Sequence, residues 1–154
     1  MCTFFSALGQ DNNLDPRYPN FVGGQLGGQT QISVHYEYSF LHKKNYYLNT
    51  NFGAGLNQSG DMEIGEKPIW GIHTGAICLY GIKSLYLEIG IDPTIYFYQS
   101  ICFINLNSWV GFRYLSKGGF YIGAGYSPIV YKTYSDPNDH FADIYFGLKL
   151  GGNF

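Results

Sequence analysis

Residues 140–154 read HFADIYFGLKLGGNF. Taken alternately, Ala142, Ile144, Phe146, Leu148, Leu150 and Phe154 fall on one parity, while Asp143, Tyr145, Gly147, Lys149, Gly151 and Asn153 fall on the other. Successive side chains of a strand point to opposite faces, so this stretch predicts a strand with one apolar face and one polar face.

The same alternation runs back through the chain. In QISVHYEYSF, residues 31–40, the residues Ile32, Val34, Tyr36, Tyr38 and Phe40 oppose Gln31, Ser33, His35, Glu37 and Ser39. Further on, Phe52 and Ala54 oppose Asn51 and Gly53, and Trp70, Ile72 and Thr74 oppose Gly71 and His73. Leu87, Ile89 and Ile91 oppose Glu88, Gly90 and Asp92, Val110 and Phe112 oppose Gly111 and Arg113, and Ile122 and Ala124 oppose Gly123 and Gly125. Short lysine-bearing turns begin at His42, Gly81 and Ser116 at nearly even spacing, and Phe154 falls about where a fourth would begin. Longer segments, QSGDMEIGEKP and KTYSDPNDH, separate other strands. Four hairpin units of this kind predict an all-β fold, an eight-stranded antiparallel up-and-down transmembrane β-barrel over residues 19–154.

Composition points the same way. Charged residues make up 13% of the chain, about half of the roughly 25% usual in soluble domains. Aromatic residues reach 19% and glycines number 21, a poor stock for a surface facing water on all sides. No run approaches the roughly 18 consecutive apolar residues of a transmembrane helix, so a membrane would be crossed by strands. A net charge of −2 provides no basic stripe for nucleic acid. The three cysteines, Cys2, Cys78 and Cys102, show no metal-ligand spacing and are expected to be inert, with Cys78 and Cys102 near opposite strand ends. Residues 1–9, ending in the small-x-small run Ala7, Leu8 and Gly9, read as the remnant of a secretory signal peptide, and residues 10–18 as a periplasmic lead-in.

Alternation leaves open which face is outside. The polar parity is mostly Gly, Asn and Ser, which suits a narrow lumen better than a surface in water. It gathers Glu37, Glu88, Arg113, Lys149, His35, His73, Asp143 and Asp92, and charges enclosed there must neutralise one another, so the carboxylates are expected to pair with Arg113 and Lys149. Outward aromatics at the two rims, Phe40, Tyr80, Tyr114, Phe120 and Phe154 at one and Trp70 at the other, predict an interfacial girdle. The alternative is a soluble lipocalin-like barrel carrying a small apolar ligand, with the apolar parity turned inward. Catalysis is not expected. His73 and Thr74 are adjacent and so point to opposite faces, while His35 and Glu37 share a face in mid-strand. The loop acids Asp61, Glu63, Glu66, Asp136 and Asp139 lack the spacing of a calcium loop, and no metal or cofactor is expected.

Three motifs carry a resemblance: Gly111, Phe112, Arg113 and Tyr114; Gly118, Gly119 and Phe120; and Gly125, Tyr126, Ser127 and Pro128. With these, residues 20–154 resemble the small outer-membrane β-barrel proteins of the Bacteroidota, barrels of the OmpA/OmpX-like eight-stranded type. The closing aromatic Phe154 is similar to the C-terminal signature of such barrels. The resemblance implies the outer membrane of a Gram-negative cell, outer-membrane lipid and lipopolysaccharide as surroundings, assembly by the barrel-assembly machinery through the last strand, and a structural or surface-interaction role. It implies no substrate.

Overall fold

The computed structural model describes residues 20–28, 30–43, 45–58, 68–98, 101–133 and 144–153. The signal-like segment, the lead-in, the loop acids, Asp143 and Phe154 lie outside the described residues. Eight strands follow one another: β1 (Asn20–Gly27), β2 (Ile32–Lys43), β3 (Tyr46–Gln58), β4 (Pro68–Ile82), β5 (Leu85–Tyr98), β6 (Ile101–Leu115), β7 (Phe120–Lys132) and β8 (Ile144–Asn153). Each pairs antiparallel with the next, and β8 returns to β1 from Phe21↔Asn153 to Gly27↔Gly147, so the sheet closes into an up-and-down barrel with no free edge.

One rim is built from tight turns. Lys43 pairs with Tyr46, Ile82 pairs with Leu85, and residues 116–119 join β6 to β7. Lys83 has φ 63° and Gly119 φ 86°, the left-handed backbone that compact turns of this kind demand. Each turn is tied to the adjoining hairpin: the N–H groups of Gly81, Leu115 and Asn153 donate to the carbonyls of Asn45, Ser84 and Gly119 at 2.8, 2.7 and 2.8 Å. The opposite rim is less uniform than a simple turn-and-loop asymmetry suggests. Its long connections follow β3 and β7, whereas β1 and β2 are joined through residues 28–31 and β5 and β6 through 99–100.

The apolar parity faces outward. Val34, Phe52, Ile89, Phe112 and Phe146 are all largely exposed, and between the rims the described outward positions carry no Asp, Glu, Lys, Arg or His. Outward hydroxyls are turned back onto the backbone: Thr50 Oγ1 donates to the Gly75 carbonyl (3.1 Å), Thr74 Oγ1 to Asn51 (3.0 Å) and Ser108 Oγ to Pro128 (3.3 Å). Two bulges break strict alternation, between Ser39 and Leu41 and between Leu106 and Asn107 opposite Ile129 and Tyr131. A bulge lets two consecutive residues share a face. Phe40 with Leu41, and Val130 with Tyr131, are accordingly both exposed.

Inside, the polar parity is not polar throughout. At the turn end Phe21, Tyr47, Ile77, Leu79, Tyr86, Leu115 and Tyr121 form a buried apolar cluster. Its rings meet edge to face, Phe21–Tyr47 at 6.3 Å, Phe21–Tyr121 at 5.9 Å and Tyr47–Tyr86 at 5.6 Å between centroids, the geometry their quadrupoles favour. These residues share the inward parity of Glu37 and Arg113, so the barrel is stoppered at this end by hydrophobic side chains.

Candidate functional site

Next to the stopper lies the interior's charged layer. Arg113 on β6 reaches two carboxylates from opposite sides. Its Nε and Nη2 donate to Glu88 Oε2 and Oε1 at 2.8 Å each, and Nη1 and Nη2 donate to Glu37 Oε2 and Oε1, again at 2.8 Å. Lys149 Nζ donates to Glu88 Oε1 at 2.7 Å, and Asn49 Nδ2 to Glu37 Oε2 at 3.0 Å. The planar guanidinium can serve two carboxylates in forked pairs, which a lysine ammonium cannot. Glu37, Glu88 and Arg113 are 0% exposed. Two positive and two negative charges are thus withdrawn from water together, with every carboxylate oxygen bonded. That full satisfaction is what makes burial of ions tolerable.

Aromatic faces complete the layer. Arg113 Cζ stands 4.5 Å from the centre of the Tyr121 ring, and Lys149 Nζ stands 4.2 Å from that of Trp109. His35 Nε2 lies 2.8 Å from Tyr121 Oη and 3.4 Å from Glu37 Oε1. Glycines on the facing strands leave the room these long side chains need. A Cβ on Gly125 would sit 2.7 Å from Trp109 Cζ2, and one on Gly151 2.5 Å from Tyr121 Cε1.

The structure therefore brings together Glu37, Glu88, Arg113, Lys149 and His35. His73 stands apart, nearer the loop rim, 2% exposed and with neither ring nitrogen hydrogen-bonded. Around that level a second cluster forms: Asn51 Nδ2 donates to Asp92 Oδ1 at 2.7 Å, and Asn107 Nδ2 to Thr94 Oγ1 at 2.9 Å. Sequence reasoning missed Tyr121, Trp109, Asn49 and Asn51 as members of these layers. Their only signal is parity, since each stands an even number of residues from Arg113, Asn107 or Gly53 on its own or a registered strand.

The candidate girdle residues Phe40, Tyr80, Tyr114 and Phe120 are exposed near the turn rim, and Trp70 is exposed toward the loop rim between Leu56 and Phe97. What the charged layer can do chemically is hold charge fixed: Glu37 and Glu88 bond to Arg113 and Lys149, whereas Asp92 and His73 take no part in these ion pairs. No protein-family model matches the chain, and no curated protein or solved structure matches it.

Proposed function

We propose that this chain is an integral outer-membrane β-barrel protein with a packed interior, serving a structural or surface-interaction role and carrying out no catalysis. The observation that carries the reading is the outer wall: large apolar side chains stand exposed all the way round, with no charged side chain among the described positions between the rims. In water such a wall would be one continuous sticky surface. In lipid it is the required one, and Thr50, Thr74 and Ser108 already satisfy their hydroxyls within the sheet, as a medium without hydrogen-bonding partners demands. A carrier of a small apolar ligand would need an apolar chamber, whereas here the interior is occupied by the stopper and the ion-paired layer. Trp70, Tyr80 and Tyr114 would meet lipid headgroups at the two interfaces, with outer-membrane lipid and lipopolysaccharide as neighbours and the barrel-assembly machinery as the route in. The likeness to Bacteroidota barrels of the OmpA/OmpX-like type, carried by Gly111–Tyr114 and Gly125–Pro128, supports the same compartment.

The test is electrophoretic. The chain is expressed behind a bacterial secretion signal, the outer-membrane fraction is extracted in detergent, and samples are run unheated and boiled. A membrane-bound band whose mobility changes on boiling is the expected result. A single band in the soluble periplasmic extract would overturn the reading and favour a soluble carrier.

A further inference from the structure

The described lumen holds three carboxylates, Glu37, Glu88 and Asp92, against two permanent cations, Arg113 and Lys149. Both cations are bonded to Glu37 or Glu88. Asp92, only 4% exposed, has no cationic side chain at bonding distance among the described residues; it accepts a single side-chain hydrogen bond, from Asn51. Among the described residues one negative charge is thus left over, and an uncompensated charge in the interior is strongly disfavoured.

The atoms left free around it are acceptors. Asn51 has its amide nitrogen committed to Asp92, and Asn107 has its own committed to Thr94 Oγ1 and, at 3.4 Å, to the Asp92 carbonyl. Both amide oxygens, Asn51 Oδ1 and Asn107 Oδ1, are consequently buried without a partner. Gly75 leaves the room that the Asp92 carboxylate takes up: a Cβ there would run into Asp92 Oδ1 and sit 3.0 Å from Asn51 Oδ1, so these two oxygens stand side by side over the glycine. His73, two residues nearer the loop rim on β4, offers two unpartnered ring nitrogens on that side.

We propose that Asp92, Asn51 and Asn107 form a site for one monovalent alkali cation, sodium or potassium, bounded toward the loop rim by His73. Carboxylate and amide oxygens are the donors a hard cation prefers. The single uncompensated charge selects a monovalent ion, because a divalent one would leave the interior positive. The apolar stopper closes the turn end, so exchange runs through the loop rim. The inference is argued from the barrel interior; its test takes the barrel in detergent, as the membrane reading requires, but reads ion binding rather than cell fractionation.

Crystals of the whole barrel, grown from detergent with thallium(I) acetate replacing alkali salts, are measured for anomalous scattering. The expected result is a peak in contact with the Asp92 carboxylate, Asn51 Oδ1 and Asn107 Oδ1 that vanishes in Asp92→Asn. No peak there in the unsubstituted protein, or a peak that survives Asp92→Asn, overturns the site. Should Asp92→Asn not fold, the unsubstituted protein decides alone. Its heat-induced gel transition in detergent is expected several degrees higher in sodium or potassium chloride than in N-methylglucamine chloride at equal ionic strength, and coincident transitions overturn the proposal.

Discussion

The two halves of the lumen are built from the same inward parity of the same strands, yet they solve burial in different ways. In the turn half, polar burial is paired with partners: Arg113 and Lys149 consume Glu37 and Glu88, and seven apolar side chains fill the space below. Among the described residues, the loop half carries Thr30, Ser33, Asn51, His73, Asn105 and Asn107 with side-chain atoms that meet no partner, while the turn half and its charged layer leave the Ser39 hydroxyl, the Trp109 indole nitrogen and single oxygens of Asn20 and Asn49 in that state. A buried polar group without a partner weakens the fold by about 1–3 kcal/mol relative to a bonded one. Stability is therefore concentrated in the turn half, and the loop half is where the barrel retains unused bonding capacity.

The sharpest way to break this contrast is at Arg113. Arg113→Ala leaves two carboxylates buried without their main partner, and loss of one member of such a set destabilises by about 3–5 kcal/mol. Urea unfolding in detergent, followed by the ratio of folded to unfolded bands, should move by that amount. A change under about 1 kcal/mol would mean that water reaches the charged layer and that the halves do not differ.

A smaller effect is expected at the boundary. Gly125→Ala places a methyl group against Trp109 Cζ2 and the Val110 carbonyl, each 2.7 Å from the added carbon. Overpacking of this kind typically destabilises by about 1–3 kcal/mol. The Trp109 indole must leave its place over Lys149, and a changed emission maximum, read in a Trp70→Phe background so that Trp109 alone reports, should accompany the loss. Unaltered emission would show the indole to be elsewhere. Smallest is Ser33→Ala in the loop half. Its hydroxyl is buried and unpartnered, so its removal should change stability by no more than about 0.5 kcal/mol, in either direction. A loss above about 1 kcal/mol would reveal a partner for Ser33 and narrow the difference between the halves.

How much of this is legible in the sequence follows from what period two can and cannot carry. Eight strands and the side on which Glu37, Glu88, Arg113, His35 and His73 fall are readable because alternation is local. That enclosed carboxylates must meet Arg113 and Lys149 follows from desolvation. Which meets which does not, because Glu37 on β2 and Arg113 on β6 are joined across the lumen by the stagger of a closed sheet, and stagger is set by every register at once. The apolar stopper is hidden for a different reason. Tyr47, Tyr86 and Tyr121 each follow an outward apolar or aromatic residue, and a pair such as Phe120–Tyr121 gives no local sign that its second ring turns inward. The bulges at Phe40–Leu41 and Val130–Tyr131 reset parity without a glycine or proline to mark them.

β4 and β6 run for 15 residues each. At a rise of about 3.3 Å per residue and a tilt of about 40°, each corresponds to a wall roughly 38 Å tall. That is more than the apolar band of about 25 Å that a membrane barrel presents to lipid. In the membrane proposed above, the wall these strands form with β5 would carry its ends through the headgroup layers and into the water beyond.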